Sequence, residues 1–338
     1  MSKILEEANS IADKIEIFNQ NDHNPYNDIK KIILDKKITL IVTVARGTSD
    51  CAALYASYLF AKFLGLPTYS LPPSQITLEK TRFDFSSALV LIISQSGLSE
   101  DLIECEKACR TMGAITVILT NNNRSPMIET VNYYFNMYAG KEESVAATKS
   151  FVLTLLNLIK LVSIISDNHQ ILSRINDLPK IIERDNQNIW EPNIVDKHLS
   201  SGFIISRGLG YALSTEISLK FKELCQEQIE PFSSAEVMHG PKSLIENKFK
   251  LFVLILSDKS GNIVSRDINQ LKKMTDKVYE ILPTSYGDST FMYQSLNSAE
   301  LDSIILMTKF YSWIIKYSKL KNLDPDNPRY LTKVTRTF

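Results

Sequence analysis

Three short stretches of the chain return in its second half, in the same order and at an almost constant distance. Val44-Ala45-Arg46-Gly47 pairs with Ile205-Ser206-Arg207-Gly208 at an offset of 161, and Leu89–Ser94 pairs with Leu251–Leu256 at an offset of 162. Ala114–Leu119 matches Val278-Tyr279-Glu280-Ile281 at nearly the same spacing. A fixed offset over three apolar runs marks an internal duplication. Two copies are too few for a solenoid, so two packed domains follow. The length of 338 residues allows each half to bury a core of its own.

Within each copy, short apolar runs alternate with longer helical patterns, the signature of parallel strands joined by helices. In the first copy strands are expected at Thr39–Ala45, Ala88–Ser94, Ala114–Thr120 and Tyr133–Tyr138, with helices at Asp50–Leu64, Ser99–Met112 and Val145–Ser166. In the second, strands are expected at Phe203–Ser206, Lys250–Leu256 and Lys277–Leu282, with helices at Tyr211–Gln226 and Ser265–Thr275. The expected division is an N-terminal helix (1–29), a first α/β domain (30–167), a polar linker (168–193), a second α/β domain (194–320) and a C-terminal tail (321–338).

Charge and hydropathy narrow the partners. Lys+Arg and Asp+Glu both number 38, so no net field draws nucleic acid or an anionic membrane. The most apolar stretches, Phe151–Ile165 and Ile304–Ile315, are interrupted by Asn157, Lys160 and Lys309, and they read as buried helices rather than membrane spans. The N-terminus carries Glu6, Glu7 and Asp13 and lacks a signal-peptide core. Four cysteines (Cys51, Cys105, Cys109, Cys225) lack paired metal-ligand spacing and read as thiols in a reducing cytoplasm. No metal and no cofactor is expected.

The chemistry must then come from local motifs. Leu91-Ile92-Ile93-Ser94-Gln95-Ser96-Gly97-Leu98-Ser99 reads as a strand, a polar turn and the start of a helix. Free backbone N–H groups there suit an anion, Ser94, Ser96 and Ser99 add hydroxyls, and Gly97 permits close approach. Capping by Ser99 alone would need one hydroxyl, not three. No GxxxxGK[ST] occurs, which disfavours a nucleotide. Gly47, Thr48 and Ser49 follow another strand in the same way, though a Ser49 or Asp50 cap explains them equally well. The counterpart in the second copy, Arg207-Gly208-Leu209-Gly210, lacks the hydroxyls, so one phosphate site per chain is expected. Glu216, Lys220 and Glu223 fall along one side of a helix, which for any one of them also fits a solvated salt-bridged face. His239 precedes Gly240-Pro241, a turn able to aim an imidazole into a cleft. In the tail, Tyr330, Leu331 and Val334 flank Lys333 as if holding it down, and a lysine in a dry pocket can form a Schiff base.

Taken together, these residues resemble the sugar-isomerase (SIS) domain family, and within it the isomerase half of glucosamine-6-phosphate synthase, over residues 30–338. Four segments carry the resemblance: Ser94-Gln95-Ser96-Gly97, Glu142 to Lys149, Glu216 to Glu223, and His239-Gly240-Pro241. It implies two tandem SIS domains of flavodoxin-like or Rossmann-like architecture. It implies that Thr48, Ser94, Gln95, Ser96 and Ser99 hold a sugar phosphate, that Gly47 and Ser49 border that site, and that the backbone around Val145 and Ala146 meets the sugar. Glu223 would carry the proton between C1 and C2, with Glu216 and Lys220 among the substrate-binding residues. His239 would assist ring opening, and Lys333 would be the carbonyl-reactive lysine. A homodimer with the site at its interface is implied as well, with the histidine supplied by the neighbouring subunit.

The departures from the synthase point to a direction. The synthase begins with a glutaminase domain bearing an N-terminal catalytic cysteine, whereas no cysteine precedes Cys51 here. Val42 to Asp50, Lys333 to Thr337 and Ala147 (a serine in the synthase) look closer to stand-alone SIS-type glucosamine-6-phosphate deaminases. The expected reaction is therefore glucosamine 6-phosphate and water to fructose 6-phosphate and ammonia. The competing readings are a deaminase or deglycase of galactosamine or fructosamine phosphate, a glutaminase-free transferase or isomerase, and a non-catalytic sugar-phosphate sensor.

Overall fold

The structure is a computed structural model that describes residues 2–35, 38–246 and 248–333. The described residues fall into two compact units, one within Asp13–Glu142, Lys149–Asn176 and Thr332–Phe338, the other within Met1–Ala12, Glu143–Thr148 and Asp177–Leu331. Each is built on one five-stranded sheet.

In the first, the strands are β1 (Leu40–Val44), β2 (Thr68–Ser70), β3 (Ala88–Ile93), β4 (Ile115–Thr120) and β5 (Tyr133–Asn136). They lie in the order β2-β1-β3-β4-β5, and every pairing is parallel. β3 is buried along its whole length, as a central strand covered on both faces must be. Val42, Val44, Val90, Ile92 and Ile118 pack with Leu102, Cys105 and Cys109 of the helix Glu100–Thr111 on one face. The helix Lys149–Ile165 is buried almost all round and packs on the helices Thr48–Leu64 and Tyr26–Asp35.

The second unit uses β6 (Ser201–Ser206), β7 (Gln228–Ser233), β8 (Lys250–Leu254), β9 (Val278–Pro283) and β10 (Phe291–Tyr293). Its order, β10-β9-β8-β6-β7, is the same topology counted from its own first strand, again all parallel. Both sheets thus have the flavodoxin-like 2-1-3-4-5 arrangement. One backbone detail confirms the duplication. Gly47 (φ 56°, ψ −132°) and Gly208 (φ 61°, ψ −134°) open the helix after the first strand of each sheet in the same conformation. Side chains with a Cβ are excluded from that region.

Several expectations need correction. The segment read as a polar linker contains the helices His169–Arg174 and Leu178–Asp185, the second buried at Leu178 and Ile182. The expected N-terminal helix is two helices, Lys3–Asn9 and Ile11–Asn21. The strands β2, β7 and β10 were not expected. The long helix begins at Lys149 rather than Val145, because residues up to Ala147 form an irregular segment. Among the described residues, no helix is long and apolar enough to cross a membrane.

Candidate functional site

Chain reversal within the first sheet creates the first candidate site. β1 and β3 are neighbours, with Val44 opposite Ile92, but β1 connects onward to β2 on one side and β3 to β4 on the other. Open parallel sheets take ligands at such a switch point, outside the carboxyl ends of the strands. Gly47, Thr48 and Ser49 follow β1 there, and Ser94-Gln95-Ser96-Gly97 follows β3.

The β3 turn is held from behind. Gln95 O accepts from Thr120 Oγ1 (3.3 Å) and the Asn121 amide (3.2 Å), Ser96 O from Asn122 Nδ2 (2.8 Å), and Gly97 O from Ser125 Oγ (2.7 Å). The carbonyls that would repel an anion are therefore committed elsewhere. The Ser94 hydroxyl accepts from Gly97 N (3.2 Å) and the Ser96 hydroxyl from Leu98 N (3.3 Å). Each hydroxyl keeps its own proton to donate. Ser99 occupies the N-cap position of Glu100–Thr111, yet its side chain makes no capping bond. Asp101, buried in that first turn, is neutralised by Arg46 at 3.0 and 2.9 Å. Gly97 is required twice over: its φ is +62°, and a Cβ would stand 2.5 Å from Ser125 Cβ. Thr120, Asn122 and Ser125 were not singled out in the sequence, because they act on the turn from the end of the next strand.

The matching turn after β8 has changed character. Asp258 accepts from Gly261 N (2.9 Å) as an N-cap, and the Ser257 hydroxyl donates to Asp302. Burial raises the Asp302 carboxyl to about 6, against hydrogen bonds from Ser257, Ser295 and Leu296 N that pull the other way. Asp258 stands at the position that matches Ser96, and the remaining hydroxyls of the turn, Ser257 and Ser260, donate to Asp302 and Asp258.

The second candidate site lies on the helix Leu209–Cys225. Lys220 Nζ sits between Glu216 Oε1 (3.0 Å) and Glu223 Oε2 (2.6 Å). Glu216 and Lys220 are sealed from solvent, so this is no surface salt bridge, whereas the Glu223 side chain is 20% exposed. Tyr311, from the helix Ala299–Leu320, donates to Glu216 Oε1 at 2.8 Å. Burial raises Glu216 against the pull of Lys220; burial lowers Lys220, but the two carboxylates outweigh it and leave its pKa raised. Lys220 stays charged and Glu223 is the carboxylate with a face left open. The helix ends at Gln226 in the left-handed conformation (φ 55°). The buried Glu227 carboxylate then accepts from Lys250 Nζ (2.8 Å) and Tyr317 OH (2.8 Å), which fastens that end.

The remaining candidates are placed as follows. His239 closes the short 3-10 turn Glu236–His239, is exposed, and lines a cleft of about 500 Å³ with Arg207, Ser234 and Asp267. None of Glu216, Lys220 and Glu223 lines that cleft. Ala146 is buried and Val145 half-buried in a segment anchored by Glu7, whose carboxylate accepts from Glu143 N (2.6 Å) and Ser144 N (3.3 Å). In the sequence nothing sets Glu7 apart from Glu6 and Asp13 beside it. Lys333 is not in a dry apolar pocket. Its ammonium is 3.4 Å from the sealed Glu142 carboxylate, its side chain is 25% exposed, Tyr330 is almost wholly exposed and Leu331 is 42% exposed. Val334 to Thr337 lie outside the described residues. Of the four cysteines, Cys105, Cys109 and Cys225 are buried, with Cys105 and Cys109 pushed up to about 12 by burial. No cluster of three His, Cys, Asp or Glu suited to a metal ion occurs among the described residues.

The family model described as "SIS domain" matches residues 33–163, which span β1 to β5 and the hydroxyl turn. The chain carries a SIS domain. The isomerizing glutamine–fructose-6-phosphate aminotransferase of Sulfolobus acidocaldarius is 29% identical over 310 residues, covering 90% of this chain and 51% of that protein. The Pyrococcus horikoshii protein of the same name is 28% identical over 356 residues, covering 98% and 56%. The chain spans about half the length of these curated relatives. Among solved structures, a Silicibacter pomeroyi protein assigned as a phosphosugar isomerase superposes with a TM-score of 0.86 at 28% identity, covering 96% of this chain and 100% of that one. A glucosamine-6-phosphate deaminase from Thermotoga maritima shares the tandem SIS fold, with a TM-score of 0.80, 19% identity and coverage of 99% and 100%.

Proposed function

We propose that the chain is an enzyme that moves a proton between C1 and C2 of a phosphorylated amino sugar and releases ammonia, converting glucosamine 6-phosphate and water to fructose 6-phosphate. The observation that carries this reading is the Glu216–Lys220–Glu223 arrangement. One carboxylate is left partly open while a sealed ammonium at 2.6 Å fixes its orientation. A proton carrier needs that combination of access and fixed geometry.

In this reading the hydroxyl turn anchors the phosphate, so that the flexible open-chain sugar reacts as an oriented group. His239 assists proton transfer as the ring opens. Glu223 takes the proton from C2 of the aldehyde and delivers it to C1, leaving an imine at C2. Water adds to that carbon and ammonia departs, leaving the ketone. Lys333 remains the proposed carbonyl-reactive lysine, and its ion pair with Glu142 would have to open before it reacted. The exposure of His239 is in keeping with its donation to a neighbouring copy in a homodimer. The printed names of the curated relatives favour a second reading, in which the same C1/C2 transfer serves aminotransfer from an ammonia donor.

Ammonia release from glucosamine 6-phosphate, galactosamine 6-phosphate and a fructosamine 6-phosphate tests the proposal. The expected result is release from the first, and no release from any of the three overturns it. Glu223→Gln should lower turnover by about 10² to 10⁴ while sugar-phosphate binding survives. Loss of binding with normal turnover of bound substrate would remove Glu223 from the role.

A further inference from the structure

A cavity of about 300 Å³ in the unit that contains Asp177–Leu331 takes no part in the chemistry above. Its lining includes Trp190 and Trp313, which are the only two tryptophans of the chain. Both indoles are nearly buried, and the Trp313 N–H has no hydrogen-bond partner among the described residues. Asn9, Asn186 and Asn188, all exposed, border the same space. The Asn9 Oδ1 accepts from Ser312 Oγ at 3.0 Å, and an asparagine amide carries two donors besides its acceptor, as a set of sugar hydroxyls requires. Two lysines complete the lining, and they differ. Lys309 is held by Asp185 at 3.0 Å, whereas Lys316 is half-buried and makes no ion pair among the described residues.

We infer that this cavity is a second binding site, for a small phosphorylated sugar. The indoles supply apolar walls, the amides meet hydroxyls, and the Lys316 ammonium is left to meet the phosphate. The volume suits one hexose phosphate and excludes a dinucleotide. The site also has physical routes to the helix Leu209–Cys225. Trp313 packs edge-on against Phe221 of that helix at 5.9 Å, and Tyr311, two residues before Trp313, donates to Glu216. A ligand that shifts Trp313 therefore bears on the helix that carries Glu223.

The two tryptophans make the test selective, because intrinsic fluorescence of the full chain reports on this cavity. Glucosamine 6-phosphate, free glucosamine, inorganic phosphate and uridine monophosphate are titrated against Glu223→Gln, in which the sugar phosphate is not appreciably turned over, alone and combined with Ser96→Ala or with Lys316→Met. The expected result is a saturable change with glucosamine 6-phosphate that persists in Ser96→Ala and weakens about tenfold or more in Lys316→Met, as expected for loss of a charge-assisted contact. A response that vanishes in Ser96→Ala and survives in Lys316→Met overturns the inference, since it would report the hydroxyl turn. Equal responses to inorganic phosphate, tighter binding of the nucleotide, or no response to any probe overturn it as well. None of these outcomes requires turnover, so they are independent of whether the deaminase reading holds.

Discussion

Replacing Lys220 by methionine keeps most of the side-chain volume and removes the ammonium that lies between two carboxylates. Glu223 can recover hydration through its exposed face. Glu216 cannot, because its side chain is fully buried and Tyr311 still supplies only a neutral donor. An uncompensated charge there would cost several kcal/mol, so the carboxyl takes up a proton instead. That route sets the size of the effect. Protonating a glutamate of ordinary pKa 4.5 at pH 7 costs about 3.4 kcal/mol, at about 1.36 kcal/mol per pH unit, and at pH 5.5 about 1.4 kcal/mol. Lys220→Met should therefore lose up to about 3 kcal/mol relative to wild type at pH 7, the raised Glu216 of the wild type already bearing part of that cost, and up to about 2 kcal/mol less than that at pH 5.5. Urea unfolding followed by tryptophan fluorescence reads the correct region, since Trp190, Trp313 and Lys220 belong to one unit. With a typical urea slope, a 2 kcal/mol difference moves the midpoint by about 1 M. Glu216→Gln added to Lys220→Met should restore most of the loss and remove its pH dependence. An equal loss at both pH values, or a double variant as unstable as the single one, would refute the account of this buried trio.

Two further outcomes follow from the turns. Gly97→Ala places a Cβ against Ser125 at a positive φ, so it should cost about 1–3 kcal/mol in thermal stability and weaken sugar-phosphate binding by calorimetry; unchanged binding would separate the turn from the ligand. Asp302 binds its proton more tightly folded (about 6) than unfolded (3.8), so its contribution is present at low pH and lost as pH rises through about 6. Asp302→Asn should flatten the fall in melting temperature between pH 4.5 and 7, by an amount equivalent to about 2 kcal/mol. An unchanged slope would show that the buried carboxyl is not what titrates.

The central strands were legible because their apolar runs match their burial: β3 and β4 were expected within a residue or two. The strands that escaped notice lie at sheet edges. β2 and β10 are three residues each, and β7 carries Gln228, Glu230 and Pro231. Polar residues and proline are tolerated only on such margins, and there they erase the alternation that marks a strand. The hydroxyl turn was readable because its chemistry is local. The burial of Glu216 and Lys220 was not, since it depends on a helix about ninety residues further on that delivers Tyr311. The surroundings of Lys333 were misread for the same reason. Neighbouring apolar residues in the sequence suggested shelter, but its actual partner is Glu142, 191 positions away.

Neither compact unit is a continuous stretch of chain. The unit that contains Asp177–Leu331 also claims Met1–Ala12 and Glu143–Thr148, the very segment whose backbone amides Glu7 holds. The boundary of the ancestral duplication and the boundary of the folded body have thus drifted apart. A gene cut at the repeat junction would yield one fragment with surplus pieces and another missing its N-terminal helix and its Glu143–Thr148 loop. Such halves are expected to regain order only when supplied together, so the repeat here is a unit of descent and no longer a unit of manufacture.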